Sequence, residues 1–134
     1  MEALAAVGLV GNIIQFLQLG AQVVCTTKEI GSSAKGLTKD ASDLANLTEG
    51  LQKVCSDLVA KAGNLPRSSG SLEALAGDCI ESAQQLIDAL ISIKSHAPTS
   101  KWKSFHAALK SIWRASHVKA MQQKLQEYRS QLTL

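Results

Sequence analysis

The first 30 residues contain a long apolar stretch, and this stretch constrains the fold more than any other feature of the chain. No charged residue occurs between Glu2 and Lys28. About 20 residues of helix span a bilayer, so the stretch is long enough to do so. It nevertheless carries polar residues at intervals of three or four positions, which a helix would align as one stripe. These residues are Asn12, Gln15, Gln18 and Gln22. Such a helix fits either the core of a helical bundle or a membrane.

Composition and leucine spacing predict an all-α fold. Aromatic residues make up only 4% of the chain, and the two prolines, Pro66 and Pro98, lie in polar stretches between apolar segments. Apolar residues step by three and four positions from Leu44 to Leu58 and again from Leu72 to Leu90. Short loops between long helices favour antiparallel neighbours. We therefore expect a single domain over residues 1–134, an up-and-down bundle of four long helices.

The last of these helices is expected to divide. Its apolar seam steps from Ile112 to Val118, six residues instead of seven, so the seam changes phase. This shift predicts a kink or a break near residues 115–117. The expected helices cover residues 3–30, 38–62, 71–95, 101–114 and 116–132, to within a few residues.

Charge changes along the chain. The segments 1–27, 28–93 and 94–134 carry formal charges of −1, −3 and +7. The basic segment also contains Trp102 and Trp113. It is either a solvated basic face or a contact surface for anionic lipid headgroups or a protein. We expect no nucleic-acid partner, because the segment has no recognition-module signature.

Residues with catalytic or metal-binding chemistry are sparse and widely spaced. Cys25, Cys55 and Cys79 each fall on or beside an apolar helical face, so we expect buried, reduced thiols. The histidines are ten and eleven residues apart and lack other ligands at metal-binding spacing. We expect no metal, no cofactor and no enzymatic activity. The three histidines are His96, His106 and His117.

Several segments together resemble a known family. They are Ile13–Phe16, Lys28–Ile30, Lys101–Phe105, Ala108–Trp113 and Leu125–Leu132. In this order and spacing they resemble the fungal N-terminal domains found ahead of STAND-type, NLR-like receptors, a HeLo-like group. The resemblance covers nearly the whole chain.

The resemblance implies a helical bundle that acts as a cell-death effector in fungal non-self recognition, heterokaryon incompatibility and innate immunity. The implied action is membrane permeabilisation by the apolar N-terminal helix. The implied partners are anionic membrane lipids, further copies of the chain, and an upstream receptor or amyloid-type signalling partner. The implied location is cytoplasmic, with movement to the plasma membrane on activation.

Two groups of residues are the expected sites of this action. Membrane insertion is assigned to the apolar face of the first helix: Leu4, Val7, Leu9, Val10, Ile13, Ile14, Phe16 and Leu17. Contact with headgroups or a partner is assigned to Lys101, Lys103, Lys110 and Arg114. The alternative function is a helical protein-interaction or self-association adaptor of a STAND receptor, without membrane activity.

Overall fold

Five α-helices make up the described part of the chain. The computed structural model describes residues 2–32, 38–63, 70–93 and 99–131, with side chains for 6–30, 43–63, 70–93 and 100–130. No strand occurs in these ranges, so the all-α prediction is confirmed. The helices are α1 (Glu2–Ser32), α2 (Thr38–Ala62), α3 (Gly70–Ser92), α4 (Thr99–Ile112) and α5 (Ala115–Gln131).

The division of the last helix is confirmed, a few residues before the expected position. α4 ends at Ile112 and α5 begins at Ala115. The Trp113 N–H still donates to the Leu109 carbonyl at 2.7 Å, which closes the last turn of α4. The Val118 N–H donates to the Arg114 carbonyl at 2.9 Å, which opens the first turn of α5. The break lets both apolar seams face the core despite their different phase.

α1 occupies the centre of the fold, because it contacts each of the other four helices. Its inward face is fully buried at Leu9, Ile13, Phe16 and Val23. Burying a large apolar side chain stabilises a fold by about 1.5–3 kcal/mol. This one helix therefore contributes a large share of the apolar core.

Two neighbours of α1, α2 and α4, run antiparallel to it. Gly8, near the start of α1, lies against Lys61 at the end of α2, whereas Leu19 lies against Gly50. Thr27, near the end of α1, contacts His106 in α4, whereas Gly20 faces Trp113. In both pairs the sequence numbers run in opposite directions.

The leucine seams of α2 and α3 face the core, as their spacing predicts. Leu51, Leu58, Leu72 and Leu86 are fully buried. Burial along the helices is not uniform, since Leu47 in α2 and Ile93 after α3 are only partly buried against the core. The seams hold α2 and α3 against each other and against α1.

Among the α1 glycines at positions 8, 11 and 20, Gly20 alone marks a very close approach of another part of the chain. A Cβ added at Gly20 would overlap the Trp113 ring. At Gly8 an added Cβ would make an ordinary contact, 3.6 Å from the Lys61 Nζ, and at Gly11 it would meet nothing within 4 Å. Gly20 therefore admits a large aromatic ring directly onto the α1 backbone.

Candidate functional site at the N-terminal helix

The face of α1 assigned to membrane insertion lies mostly inside the protein. Leu9, Val10, Ile13, Phe16 and Leu17 are buried. Ile14 is partly buried, and Val7 is 42% exposed. Leu4 lies within α1, but its side chain is outside the described set. Most of the side chains assigned to insertion are thus engaged in the core.

α1 also has the length and composition of a membrane-spanning helix. The suitable segment is Ala6–Ile30, which has 25 residues and is 44% buried in the bundle. Both a core helix and a membrane helix meet these criteria. The helix therefore has an apolar inner face and a partly exposed outer face.

The polar stripe of α1 divides between core and solvent. Gln15, Gln18 and Gln22 are exposed, whereas Asn12 is only 6% exposed. The Lys61 ammonium donates a hydrogen bond of 2.5 Å to the Asn12 Oδ1. A charge-assisted bond of this kind satisfies the buried amide and connects α1 to the end of α2.

A second polar connection joins the end of α1 to α4. Thr27 is fully buried, and its hydroxyl donates to the Val24 carbonyl at 2.9 Å. The same oxygen lies 3.0 Å from the Nδ1 of His106. Because a threonine hydroxyl has a single proton, this geometry fits a His106 that donates its Nδ1–H to Thr27.

The surroundings of His106 favour its neutral form. Burial lowers the pKa of His106, and the positive charges of Lys110 and Lys28 lower it further. A hydrogen bond to the Val24 carbonyl opposes these effects. Lys28 of α1 therefore belongs to the same basic group as Lys110, a neighbour that the sequence pattern did not reveal.

Trp113 makes an aromatic contact with α1. Its ring meets that of Phe16 edge to face, with centroids 5.3 Å apart and an interplanar angle of 75°. The same ring covers Gly20. His106 and Trp113 therefore contact α1 at two levels, near Thr27 and near Gly20. The signal in the sequence was a glycine inside an otherwise apolar helix, but it does not identify the aromatic partner.

The residues assigned to headgroup contact lie on the surface. Lys101, Lys103, Lys110 and Arg114 are all exposed. Trp102, in contrast, is 3% exposed and packs edge to face against Phe105 at 5.8 Å. The Trp102 ring therefore belongs to the core in this conformation and does not contribute to the exposed basic face.

The cysteines differ from the expectation at one position. Cys55 and Cys79 are buried, but Cys25 is exposed, so its predicted burial is wrong. Cys25 lies on the outer side of α1, with its sulfur 3.9 Å from the Glu29 Oε1. Burial, assisted by the charge of Asp78, raises the pKa of Cys79 to about 12. The described ranges contain no group of three or more His, Cys, Asp or Glu side chains suited to a metal ion.

These features define an all-helical domain organised around its own apolar N-terminal helix. A family model described as SesA, an N-terminal domain on NACHT NTPases and P-loop NTPases, matches residues 10–132. The chain belongs to this family. The match confirms the resemblance to N-terminal domains of STAND proteins. No curated protein and no solved structure gives a significant match.

Proposed function

We propose that this domain is a membrane-targeting effector of a STAND-type receptor, held in a resting state by burial of α1. On activation α1 leaves the bundle and enters an anionic membrane, where it contributes to permeabilisation and cell death. The observation that supports this proposal is a helix of membrane-spanning length whose apolar face is sequestered in the core. The resting domain would be cytoplasmic and the active one would be at the plasma membrane.

The polar stripe favours assembly of several α1 helices in the membrane. Asn12, Gln15, Gln18 and Gln22 would each leave a polar group in hydrocarbon if α1 inserted alone. Hydrogen bonds between helices in lipid stabilise association by about 0.6–2 kcal/mol each. Stripe-to-stripe contact between copies would satisfy these amides.

Release of α1 needs a trigger. Its departure would remove contacts with all four other helices, and the stability of a whole domain is about 5–15 kcal/mol. The attached NTPase module of the family is a suitable source of such a trigger. Headgroup attraction to exposed basic residues such as Lys103 and Lys110 would assist, at about 1 kcal/mol per residue near the surface.

A charge introduced at position 18 distinguishes an effect on membrane insertion from an effect on folding. Gln18 is exposed in the bundle, so Gln18→Lys leaves the core untouched. In a bilayer, however, position 18 is near the middle of the Ala6–Ile30 segment. A lysine there opposes insertion by about 2.5–3.5 kcal/mol. We expect Gln18→Lys to reduce dye release from anionic liposomes strongly.

Gln123→Lys provides the matched control. Gln123 is exposed on α5 and receives the same charge change outside the inserting helix. Because both variants gain one positive charge, their initial attraction to anionic lipid should be similar. Dye release equal to wild type is expected for Gln123→Lys. Equal dye release from Gln18→Lys and Gln123→Lys would count against insertion of α1.

A variant with a weakened contact to α1 tests whether burial of α1 maintains the resting state. Trp113→Ala removes the ring that covers Gly20 and contacts Phe16, so α1 should leave more readily. We expect Trp113→Ala to release more dye than wild type from anionic liposomes. We expect the same variant to release less dye from neutral liposomes than from anionic ones. If the folded variant neither binds nor permeabilises either membrane, the adaptor function becomes the better account.

A further inference from the structure

The described part of α3 carries acidic charge alone. Between residues 70 and 93 there are four acidic residues and no lysine or arginine. The acidic residues are Glu73, Asp78, Glu81 and Asp88. The region 99–131, in contrast, has seven basic residues and only Glu127 as an acid. Two neighbouring parts of the fold therefore have strongly opposite charge.

The fold uses part of this complementarity internally, since Asp78 and Glu81 line one cleft together with Arg114 and His117. Among the described residues one salt bridge joins the two regions, between the Lys124 Nζ and the Asp78 Oδ2 at 4.0 Å, and both side chains are largely exposed. Asp88 is exposed on α3, and Lys103 and Lys110 are exposed on α4. Exposed pairs of this kind contribute little individually, but complementary groups of them direct association.

An apolar groove is lined in part by Ile87, the residue that precedes Asp88. It runs between α2 and α3, has a volume of about 370 Å³, and is lined by Cys55, Val59 and Ile87 together with polar residues. Val59 is 51% exposed, and Ile91, one turn beyond Ile87, is 65% exposed. We name Val59, Ile87, Asp88 and Ile91 the α2–α3 surface. It combines exposed apolar side chains with a negative charge, which is typical of a contact surface.

The opposite surface is on α4. Lys103, Ala107 and Lys110 step by four and three residues and therefore lie on one helical face, where all three are exposed. We name them the α4 basic surface. The small Ala107 between the lysines leaves room for an apolar side chain of a partner to approach the helix.

We infer that the α2–α3 surface of one copy binds the α4 basic surface of a second copy, so that the domain associates head to tail. Asp88 would face the lysines, and Ile91 and Val59 would pack near Ala107. Because the two surfaces consist of different residues, a pair of bound copies leaves one surface of each kind unoccupied, one on each copy. Such heterologous contacts extend into rings or filaments. The inference does not depend on membrane insertion, since the contact forms in the absence of lipid.

Two variants with one disabled surface each test this arrangement. Asp88→Asn/Ile91→Ser disables the α2–α3 surface, and Lys103→Glu/Lys110→Glu disables the α4 basic surface. All four positions are exposed, and circular dichroism with thermal melts checks the fold of both variants. The exposed Gln15→Glu on α1 serves as a control for a charge change elsewhere.

Sedimentation velocity without lipid, from about 10 to about 500 µM protein, gives the result. We expect wild type and Gln15→Glu to form concentration-dependent oligomers that weaken from about 50 to about 500 mM salt. Each double variant alone should associate at least about tenfold more weakly, given the apolar side chain or charge removed. Their equimolar mixture should form a 1:1 dimer and nothing larger, because only one matching pair of surfaces remains.

Two outcomes would overturn the inference. One is a wild-type protein that stays monomeric throughout this range at low salt. The other is a contrary result from the folded variants: either their mixture forms no dimer, or each variant alone assembles as well as wild type. Because these measurements contain no membrane, they fail or succeed independently of the liposome experiments.

Discussion

The ring of Trp113 lies against the backbone of Gly20, in the space that the Cβ of any other residue would need. The same ring meets Phe16 edge to face at 5.3 Å. Trp113 is also the residue directly after α4, where the chain breaks before α5. The break after α4 directs the Trp113 ring inward, and the absence of a Cβ at Gly20 leaves space for this ring. The break and the glycine therefore act together.

A methyl group at Gly20 should weaken this contact. Gly20→Ala gains up to about 1 kcal/mol of intrinsic helix stability, but overpacking against an aromatic ring destabilises a core by about 1–3 kcal/mol. Gly11→Ala has the same propensity gain and meets nothing within 4 Å. We expect Gly20→Ala to be less stable than Gly11→Ala by about 1–3 kcal/mol. Urea denaturation measures the difference.

A Trp113→Ala background tests the origin of this difference. Without the ring, Gly20→Ala and Gly11→Ala should have similar free energies of unfolding. An undiminished difference in that background would show that another contact at position 20 is responsible.

Removing Lys61 should expose the dependence of Asn12 on its partner. Lys61→Met leaves a buried amide oxygen without its 2.5 Å hydrogen bond. An unsatisfied buried polar group destabilises by about 1–3 kcal/mol. The exposed Lys53→Met on the same helix should change stability by no more than about 0.5 kcal/mol.

The double variant Asn12→Leu/Lys61→Met should recover most of the lost stability, because no polar group then remains unpaired. Chemical denaturation of wild type, Asn12→Leu, Lys61→Met and the double variant forms a double-mutant cycle. A double variant as unstable as the sum of its single variants would mean that the hydrogen bond is not the source of the effect.

The lowered pKa of His106 predicts loss of stability in mild acid. Burial, Lys110 and Lys28 make the folded state bind this proton more weakly than the unfolded chain does. The contribution is therefore complete above the unfolded pKa of about 6.5 and is lost as pH falls through the lower folded value. Wild type should lose more stability between about pH 7.5 and about pH 5 than His106→Gln does.

Denaturation curves at several pH values measure this difference, and His117→Gln serves as the comparison for a histidine outside the α1–α4 contact. Parallel pH dependence in wild type and His106→Gln would exclude His106 as the titrating group. A steeper loss in the variant would reverse the predicted sign.

The three thiols should differ in reactivity. Cys25 is exposed, whereas burial raises the pKa of both Cys55 and Cys79, that of Cys79 to about 12. Because the thiolate is the reactive form, a maleimide at neutral pH should label Cys25 first. Mass spectrometry of the native protein should show one rapid addition, followed by two that require unfolding. Rapid labelling of Cys79 in the native state would contradict its burial beside Met121, whose sulfur is 3.8 Å away.

The sequence was sufficient for the helices and their inward faces. The three- and four-residue steps of Leu51, Leu58, Leu72 and Leu86 identify buried positions because a helix repeats every 3.6 residues. The six-residue step from Ile112 to Val118 likewise predicts the break between α4 and α5. Both inferences depend only on local periodicity, which a single sequence contains.

The contacts that hold α1 could not be predicted in this way. Asn12 and Lys61 are 49 residues apart in sequence, and Thr27 and His106 are 79 apart. Periodicity states which side of a helix is apolar, but it does not state which residues of two helices meet. In the sequence, Asn12 therefore looks like one member of a uniform polar stripe. Its burial is possible because Lys61 extends from α2 and donates a hydrogen bond to it.

The central position of α1 has a consequence for reversibility. Because this helix contacts all four others, its departure would uncover the leucine seams of α2 and α3 at the same moment. The remaining helices would then expose their apolar interior to water and to other chains, and no preformed site for α1 would remain. If α1 leaves the bundle as proposed, its release would therefore be irreversible, and a cell would restore the resting state by making new protein.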